Sequence, residues 1–418
     1  MKEISRVKGT KDYILDEMER LSYIIEKVKE TFERFGFRQM DTPALENWDI
    51  LSKKGIGGSD ILEETFRFKD KSNNEIGLRY DLTVPLARVI ALNKNITLPF
   101  KRYQIAKVWR YGDVSKGRLR EFYQADIDII GSSSLLADAE VLACVSEALK
   151  RLHIDFLIRI NSRRILFSMM KSARIEKEKM LEVIRAIDKL EKIGEDSVRN
   201  ELKKIKIEEK SIDKIFDFIK MDFDSIALEG REEIENLIDY LDSFGIKNFK
   251  IDLSLARGLD YYTSVIFEII AKKEGKLGSI AGGGRYDNLI ELFAGKKIPA
   301  TGISLGIDRI AEIIDYFQKK SLIYVAFVSD KVLKKGFEII KMLRDNGINV
   351  DFDLMKRKLA KQLEYANSLK VDFVIIVGEE DLKNNEVTLR NMVTGKEKKI
   401  KIENLIEELK QILSNKLI

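Results

Sequence analysis

Only one cysteine and one histidine occur in 418 residues. Cys144 alone cannot form an intramolecular disulfide or a cysteine-built zinc cage. His153 alone excludes histidine-rich metal sites and a Ser-His-Asp triad, and it removes the usual general base. Prolines number four, amid many Lys, Ile and Glu residues, and carry no functional information. Long apolar runs are absent: Val371–Gly378 is among the longest and falls well short of the roughly 20 residues that span a bilayer. The charged opening, Met1–Lys11, lacks the apolar segment of a signal peptide. No phosphate loop of the form G-x-x-x-x-G-K-[ST] is present, because Arg118 follows the glycines of Gly112–Gly117. Gly55–Gly58 is a glycine-rich turn without the flanking strand and helix of a dinucleotide site. Chemistry is left to carboxylates, arginines and bound ions.

What is present describes a folded chain. With 44% hydrophobic and 34% charged residues and a mean hydropathy of −0.20, it has enough apolar material for two to three domains. The net charge of +5 permits a nucleic-acid partner without requiring one. Leu21, Ile24, Ile25, Val28, Phe32 and Phe35 predict an amphipathic helix over Asp16–Phe35, closed by Gly36. Met40–Leu45 reads as extended. Lys101–Arg110 and Glu121–Ile130 predict a hairpin around a basic connection, Tyr111–Arg120. From 163 to 247 helical spacing dominates, and 18 basic against 20 acidic residues leave −2, so this stretch is no basic arm. Strand patterning returns at Phe249–Leu255 and Tyr261–Ala271. Beyond a linker at Lys319–Ser321, short apolar strands alternate with helices to the end, which predicts an α/β domain. The domains expected are therefore a β-based one over 1–162 and 248–318, a helical insertion over 163–247, and an α/β domain over 322–418.

Several residues fall in chemically suggestive places. Arg110 ends the first hairpin strand, Arg118 and Arg120 precede the second, Arg257 lies in a tight turn, and Arg309 sits at a strand-to-helix transition. An arginine fork matches phosphate bidentately and keeps its charge, although a surface ion pair is the simpler reading of any one of them. Gln124, Asp126 and Asp128 alternate along one strand face. That pattern fits a half-exposed strand, or a face that meets a cationic ligand group. Asp81 could cap a helix over Val84–Leu92. In Ala281–Asp287, AGGGRYD, three glycines in a row fit either a flexible hairpin loop or a close approach by a ligand or another backbone.

Taken together these segments resemble the class II aminoacyl-tRNA synthetases, and among them the histidyl-tRNA synthetase family. WRYGDVSKGRLREFYQADIDIIG from Trp109 is similar to motif 2 in its archaeal and eukaryotic form. GISLGIDRI from Gly302 is similar to motif 3, and Lys8–Asp12 with Gly36–Pro43 resembles the motif 1 region. RGLDYYT from Arg257 and AGGGRYD from Ala281 resemble the two histidine signatures.

The resemblance implies an α+β catalytic domain on a mainly antiparallel sheet, a helical insertion and a C-terminal α/β anticodon-binding domain. It implies activation of L-histidine with ATP and Mg2+, transfer to the 3′ end of tRNA(His), a homodimer, a cytoplasmic location and no membrane. Arg110 and Arg257 match the arginines at the α-phosphate, and Arg309 the one on the γ-phosphate side. Asp81, Thr83 and Gln124 correspond to residues holding the α-ammonium; Asp128, Tyr262 and Tyr286, with Tyr261 and Arg257, fall where the family lines its histidine pocket. The family's glutamate two residues after the motif 2 arginine is replaced here by Gly112, with Asp113 next to it as a substitute for the adenine contact. Protein ligands for Mg2+ are not assigned. Two other readings are a catalytically inactive paralogue regulating ATP-phosphoribosyltransferase, and a module binding tRNA-like RNA. Such paralogues generally lack the tail and erode the histidine signatures, both of which are present here.

Overall fold

The computed structural model describes residues 4–53, 58–115, 117–257, 261–272, 278–317, 319 and 321–414. Outside them lie Gly55–Gly57 of the glycine-rich turn, Gly258–Asp260 of the RGLDYYT signature and residue 320 of the linker. The chain forms two compact units, Met1–Gln318 and Lys319–Ile418.

The strands of the first unit are β1 (Arg38–Gln39), β2 (Leu45–Asn47), β3 (Arg67–Lys69), β4 (Glu75–Leu78), β5 (Phe100–Trp109), β6 (Glu121–Ile130), β7 (Phe156–Ser162), β8 (Phe249–Ile251), β9 (Val265–Ala271), β10 (Ala281–Arg285) and β11 (Ala300–Gly306). Eight of them form one sheet in the order β1-β5-β6-β11-β10-β9-β7-β8. Its interior pairings are antiparallel, and only β1 on β5 and β7 on β8 are parallel. A small sheet, β2-β4-β3, stands apart.

Helices bury one face of the large sheet. Leu21, Ile24, Val28 and Phe32 of helix Asp16–Arg34 are fully buried, as their spacing of three and four demands, and the chain turns away at Gly36 with φ +76°. Helix Leu135–Arg151, capped by the Ser134 hydroxyl, packs beside it. These helices cover Ala125, Ile127 and Ile129 of β6. The alternate residues Gln124, Asp126 and Asp128 are buried too. β6 is thus not half-exposed: its polar face looks into an enclosed site.

Residues 163–247 are helical, but not uniformly apart from the sheet. Helix Arg163–Ser172 follows β7 directly, and helix Arg231–Ser243 buries Ile234, Leu237 and Leu241 in the same core as Leu135–Arg151. Between them, helices Met180–Asp188, Leu190–Ile193, Glu195–Lys204 and Glu209–Lys220 gather around Val183, Ile187, Leu202, Ile215 and Phe216.

The second unit has strands β12 (Ile323–Phe327), β13 (Val350–Phe352), β14 (Phe373–Val377), β15 (Glu386–Asn391) and β16 (Glu397–Lys401), in the order β13-β12-β14-β15-β16. The first three are parallel, and β15 and β16 add on antiparallel. Ile323, Val325, Phe327, Ile375 and Val377 face helices Leu333–Asp345 and Leu405–Ser414. Tyr324, Ala326, Val374 and Ile376 face helix Leu359–Ser368 on the other side. Helices on both faces explain why these strands read as unbroken apolar runs.

Candidate active site

The site is built on three adjacent strands. Register sets Arg102 of β5 and Gly302 of β11 opposite Asp128, and Gln104 and Ser304 opposite Asp126, while Gln124 faces Gly306. Because directly opposed residues share a sheet face, this pairing collects polar side chains on the side away from the helices. Gln124, Asp126, Asp128 and Ser304 line a cavity of about 410 Å³ that also receives Asp81, Thr83, Arg110, Arg118, Asp188, Arg257, Tyr261, Tyr262, Glu268, Tyr286 and Arg309.

One end is acidic and aromatic. Asp128 pairs with the fully buried Arg102 at 2.6 Å and accepts a hydrogen bond from the Tyr286 hydroxyl. Any side chain at position 302 would overlap the Asp128 carboxylate, so Gly302 is the room that Asp128 occupies. Asp81 does two things at once. One oxygen accepts the Val84 amide, in the first turn of helix Thr83–Leu92, at 3.0 Å; the other is buried with no protein partner. Gln124 donates to the Ser304 hydroxyl at 2.7 Å and leaves its own oxygen unpartnered, as does one oxygen of Asp126. Burial pushes the Asp126 carboxyl up to about 7, with help from neighbouring Asp128 and Asp81 against the pull of Arg102. Burial also raises Asp81 and Asp128. Tyr261 stacks obliquely on Tyr262 with centroids 4.8 Å apart and meets Tyr286 edge-on at 5.9 Å. Unsatisfied acceptors in a dry pocket are costly unless a ligand donor completes them. This end is made for a cation with several hydrogen-bond donors.

The other end is basic. The Arg110 Nε donates to the Tyr80 carbonyl at 2.9 Å, which fixes its guanidinium at the cavity wall. Arg309 donates to the Ser279 carbonyl. Burial holds the Arg309 guanidinium below its ordinary value, and the positive charges of Arg118, Arg110 and Arg257 press it lower still. Four arginines turned toward one volume repel each other unless an anion lies between them.

Arg257 is placed with particular care. Its backbone takes φ +57°, a conformation an arginine seldom adopts. A Cβ built at Gly282 would stand 2.5 Å from Cζ, Nη1 and Nη2 of Arg257 alike, so the guanidinium lies face-on against β10 at that glycine. The glycine run is therefore neither loop nor flexible. Gly282 admits the arginine, Gly283 the backbone of Gly302, and Gly284, at φ +156°, the ring of Tyr262.

Ten of the eleven residues to which the resemblance gives a role meet in this cavity: Arg110, Arg257, Arg309, Asp81, Thr83, Gln124, Asp128, Tyr261, Tyr262 and Tyr286. Asp113 does not. It is exposed in the connection after β5 and lies off the wall. The carboxylate that a side chain at Gly112 would meet across the fold is Glu64, whose Oε1 would be 3.0 Å from a Cβ there and is 3.7 Å from Arg118. Sequence reasoning missed Glu64, Asp188 and Glu268. Only Glu268 carried a signal, as the lone charge in the apolar run Val265–Ala271. His153 is exposed and does not line the cavity.

Comparison with known proteins decides the family. Residues 9–310 match the family described as histidyl-tRNA synthetase, and residues 322–412 match an anticodon binding domain. The chain belongs to the histidyl-tRNA synthetase family. A histidine--tRNA ligase from Clostridium tetani is 38% identical, over 93% of this chain and 94% of its own. One from Pyrococcus furiosus is 35% identical, over 98% and 99%. A crystal structure of histidyl-tRNA synthetase from Nostoc sp. PCC 7120 superposes with a TM-score of 0.86 at 31% identity, covering 98% of this chain and all of that one. The activity that goes with membership is ATP-dependent activation of histidine and its transfer to tRNA, and the reading as an inert regulatory paralogue is not favoured.

Proposed function

We propose that histidine and ATP occupy the two ends of this one cavity, and we assign residues to the two steps accordingly. The observation that carries the assignment is the polarity of the site: unpartnered acceptors of Asp81, Gln124 and Asp126 at one end, four converging arginines at the other. Asp81, Thr83 and Gln124 take the α-ammonium. Asp128, held by Arg102, and the hydroxyls of Tyr262 and Tyr286 take the imidazole, with Tyr261 packing against both tyrosines. A pocket that hydrogen-bonds both ring nitrogens leaves buried groups unpaired with any other amino acid.

In the first step a carboxylate oxygen of histidine attacks the α-phosphorus. The bond from that phosphorus to the bridging oxygen breaks, and pyrophosphate leaves with the electron pair. Arg110 and Arg257 flank the α-phosphate and offset the charge that builds on it, while Arg309 holds the γ side. In the second step the 3′-hydroxyl of tRNA attacks the acyl carbon and gives its proton to solvent, the bond from that carbon to the phosphate oxygen breaks, and AMP departs with the electron pair. No histidine side chain of the protein is required, because positioning and charge neutralisation dominate.

Among the described residues no group of three His, Cys, Asp or Glu side chains could hold a metal ion. No described residue is therefore assigned to a metal, and Mg2+ enters this reading as the counter-ion of the ATP phosphates with no step routed through it. We further assign anticodon contact to 322–418 and acceptor-arm contact to the helical insertion. The net charge of −2 over 163–247 favours a local patch such as Lys203–Lys206 over a broad basic platform, although Lys203 there is paired with Glu209 at 2.7 Å. We place the protein in the cytoplasm, where its tRNA and ATP are. Exchange of labelled pyrophosphate into ATP tests the assignment: it should require histidine and be lost in Asp81→Asn and Arg110→Ala variants that still fold. Exchange at wild-type rate by either variant contradicts it.

A further inference from the structure

Arg257 is paired from the sheet and shares the cavity wall with an acid of the helical stretch. Its Nη1 lies 3.2 Å from Oε1 of Glu268 on β9. The other oxygen of Glu268 pairs with Arg159 of β7 at 3.0 Å. Arg159 is almost fully buried; its Nε pairs with Asp252 at 2.8 Å and its Nη2 with Glu191 at 2.7 Å. Glu191 belongs to helix Leu190–Ile193. Three residues earlier, Asp188 ends helix Met180–Asp188 and opens onto the cavity beside Arg257. Burial raises the Asp188 carboxyl, while the guanidinium and backbone amide of Arg257, together with the charge of Arg163, favour its charged form. Charges thus alternate through Asp188, Arg257, Glu268, Arg159 and Glu191, and the chain begins and ends on one corner of the helical stretch.

The arrangement answers a problem that the arginine poses. A left-handed backbone at a residue with a Cβ persists only where its surroundings over-determine it. Glu268 and the cleared strand at Gly282 constrain the guanidinium from the sheet side alone. Among the described residues Arg257 forms its ion pair with Glu268, which is already shared with Arg159.

We propose that the Asp188–Glu191 corner positions Arg257 for adenylate formation, so that the helical stretch takes part in the first step as well as in any contact with tRNA. The proposal rests on the reading of Arg257 as an α-phosphate ligand. Asp188 is a positioning residue: it acts through the arginine and touches neither product bond. Contact of tRNA with this stretch, by shifting the corner, would alter the adenylation rate through the same route.

The test uses the full-length protein and single-turnover formation of histidyl-adenylate without tRNA. Asp188→Asn removes the charge and keeps an acceptor, Asp188→Ala removes both, and Glu191→Gln neutralises the exposed acid that pairs with Arg159. Asp188→Ala should slow the step by on the order of tenfold, Asp188→Asn and Glu191→Gln by less, with histidine affinity unchanged within a few-fold. In an Arg257→Ala background the same changes should cost nothing further, because their route is gone. A corner that merely supports the fold would slow both backgrounds alike, and that additivity overturns the proposal. So does wild-type adenylation by Asp188→Asn and Glu191→Gln alongside a slow Arg257→Ala. Wild-type adenylation by Arg257→Ala itself overturns the reading beneath it, and with it the proposal. If Asp188→Ala does not fold, Asp188→Asn and Glu191→Gln decide.

Discussion

Asp126 shows how a single side chain links the empty site to its ligand. Its folded value of about 7 stands well above the ordinary aspartate value of 3.8. The folded state therefore binds the proton more tightly than the unfolded chain does. Asp126 contributes stability that is complete below about 4 and is lost as pH rises through about 7. Denaturant melts of the ligand-free protein across that window should show the decline, and Asp126→Asn should flatten it. The site is anionic at the end where histidine brings an ammonium, so binding should release protons near neutral pH. Calorimetry in buffers of different ionisation enthalpy measures that release; a release unchanged in Asp126→Asn would contradict the account. Tyr262 offers a second check at this scale. Tyr262→Phe removes one buried hydroxyl and should weaken histidine binding by roughly 1–3 kcal/mol while the ATP requirement changes little. Equal losses for both substrates would place the hydroxyl elsewhere.

At the scale of the element, strand β10 separates function from structure between neighbouring glycines. A Cβ at Gly282 meets the mobile end of the Arg257 side chain, whereas one at Gly283 meets the Gly302 carbonyl and the Phe267 ring. Gly282→Ala should thus leave the melting temperature within a few degrees and slow adenylation by on the order of 10²-fold, the scale of a misplaced catalytic group. Gly283→Ala should instead destabilise the fold by about 1–3 kcal/mol, as overpacking does. Stability curves beside single-turnover rates distinguish the two, and the reverse pattern would mean that the arginine does not lie where we describe it. The hairpin of β5 and β6 was legible in the sequence because alternation and a polar connection are local signals. So was the apolar face of helix Asp16–Arg34. The burial of Gln124, Asp126 and Asp128 was not legible, since a polar alternate reads the same whether it faces water or an enclosed cavity. The glycines of β10 looked as much like a loop as a strand, because what they make room for comes from Arg257 and Gly302, 25 and 19 positions from Gly282 and Gly283. Asp188 gave no sign at all: on an amphipathic helix one more acid is unremarked until the fold sets it against an arginine.

At the scale of the whole molecule, the lining residues of the cavity all lie before 310, and the second unit begins at Lys319. Removing residues 319–418 should leave adenylate formation largely intact and greatly weaken aminoacylation. A truncated chain that folds and charges tRNA as well as the full one would show that 322–418 does not read the anticodon. The N-terminal segment leaves Ile4, Val7, Ile14 and Leu15 well exposed, which suits the homodimer we propose for the motif 1 region; a monomer at micromolar concentration in light scattering would rule it out. On the reading proposed above, one cavity holds both substrates and Arg257 stabilises the charge moving onto the α-phosphate. Single-turnover conversion of histidine and ATP to histidyl-adenylate by the full-length Arg257→Ala protein, run beside histidine binding and a melting curve, tests it most directly. The account predicts a rate lower by on the order of 10²–10³, with histidine affinity within a few-fold and the fold intact. Adenylation at the wild-type rate, or a loss traced wholly to unfolding, would contradict it.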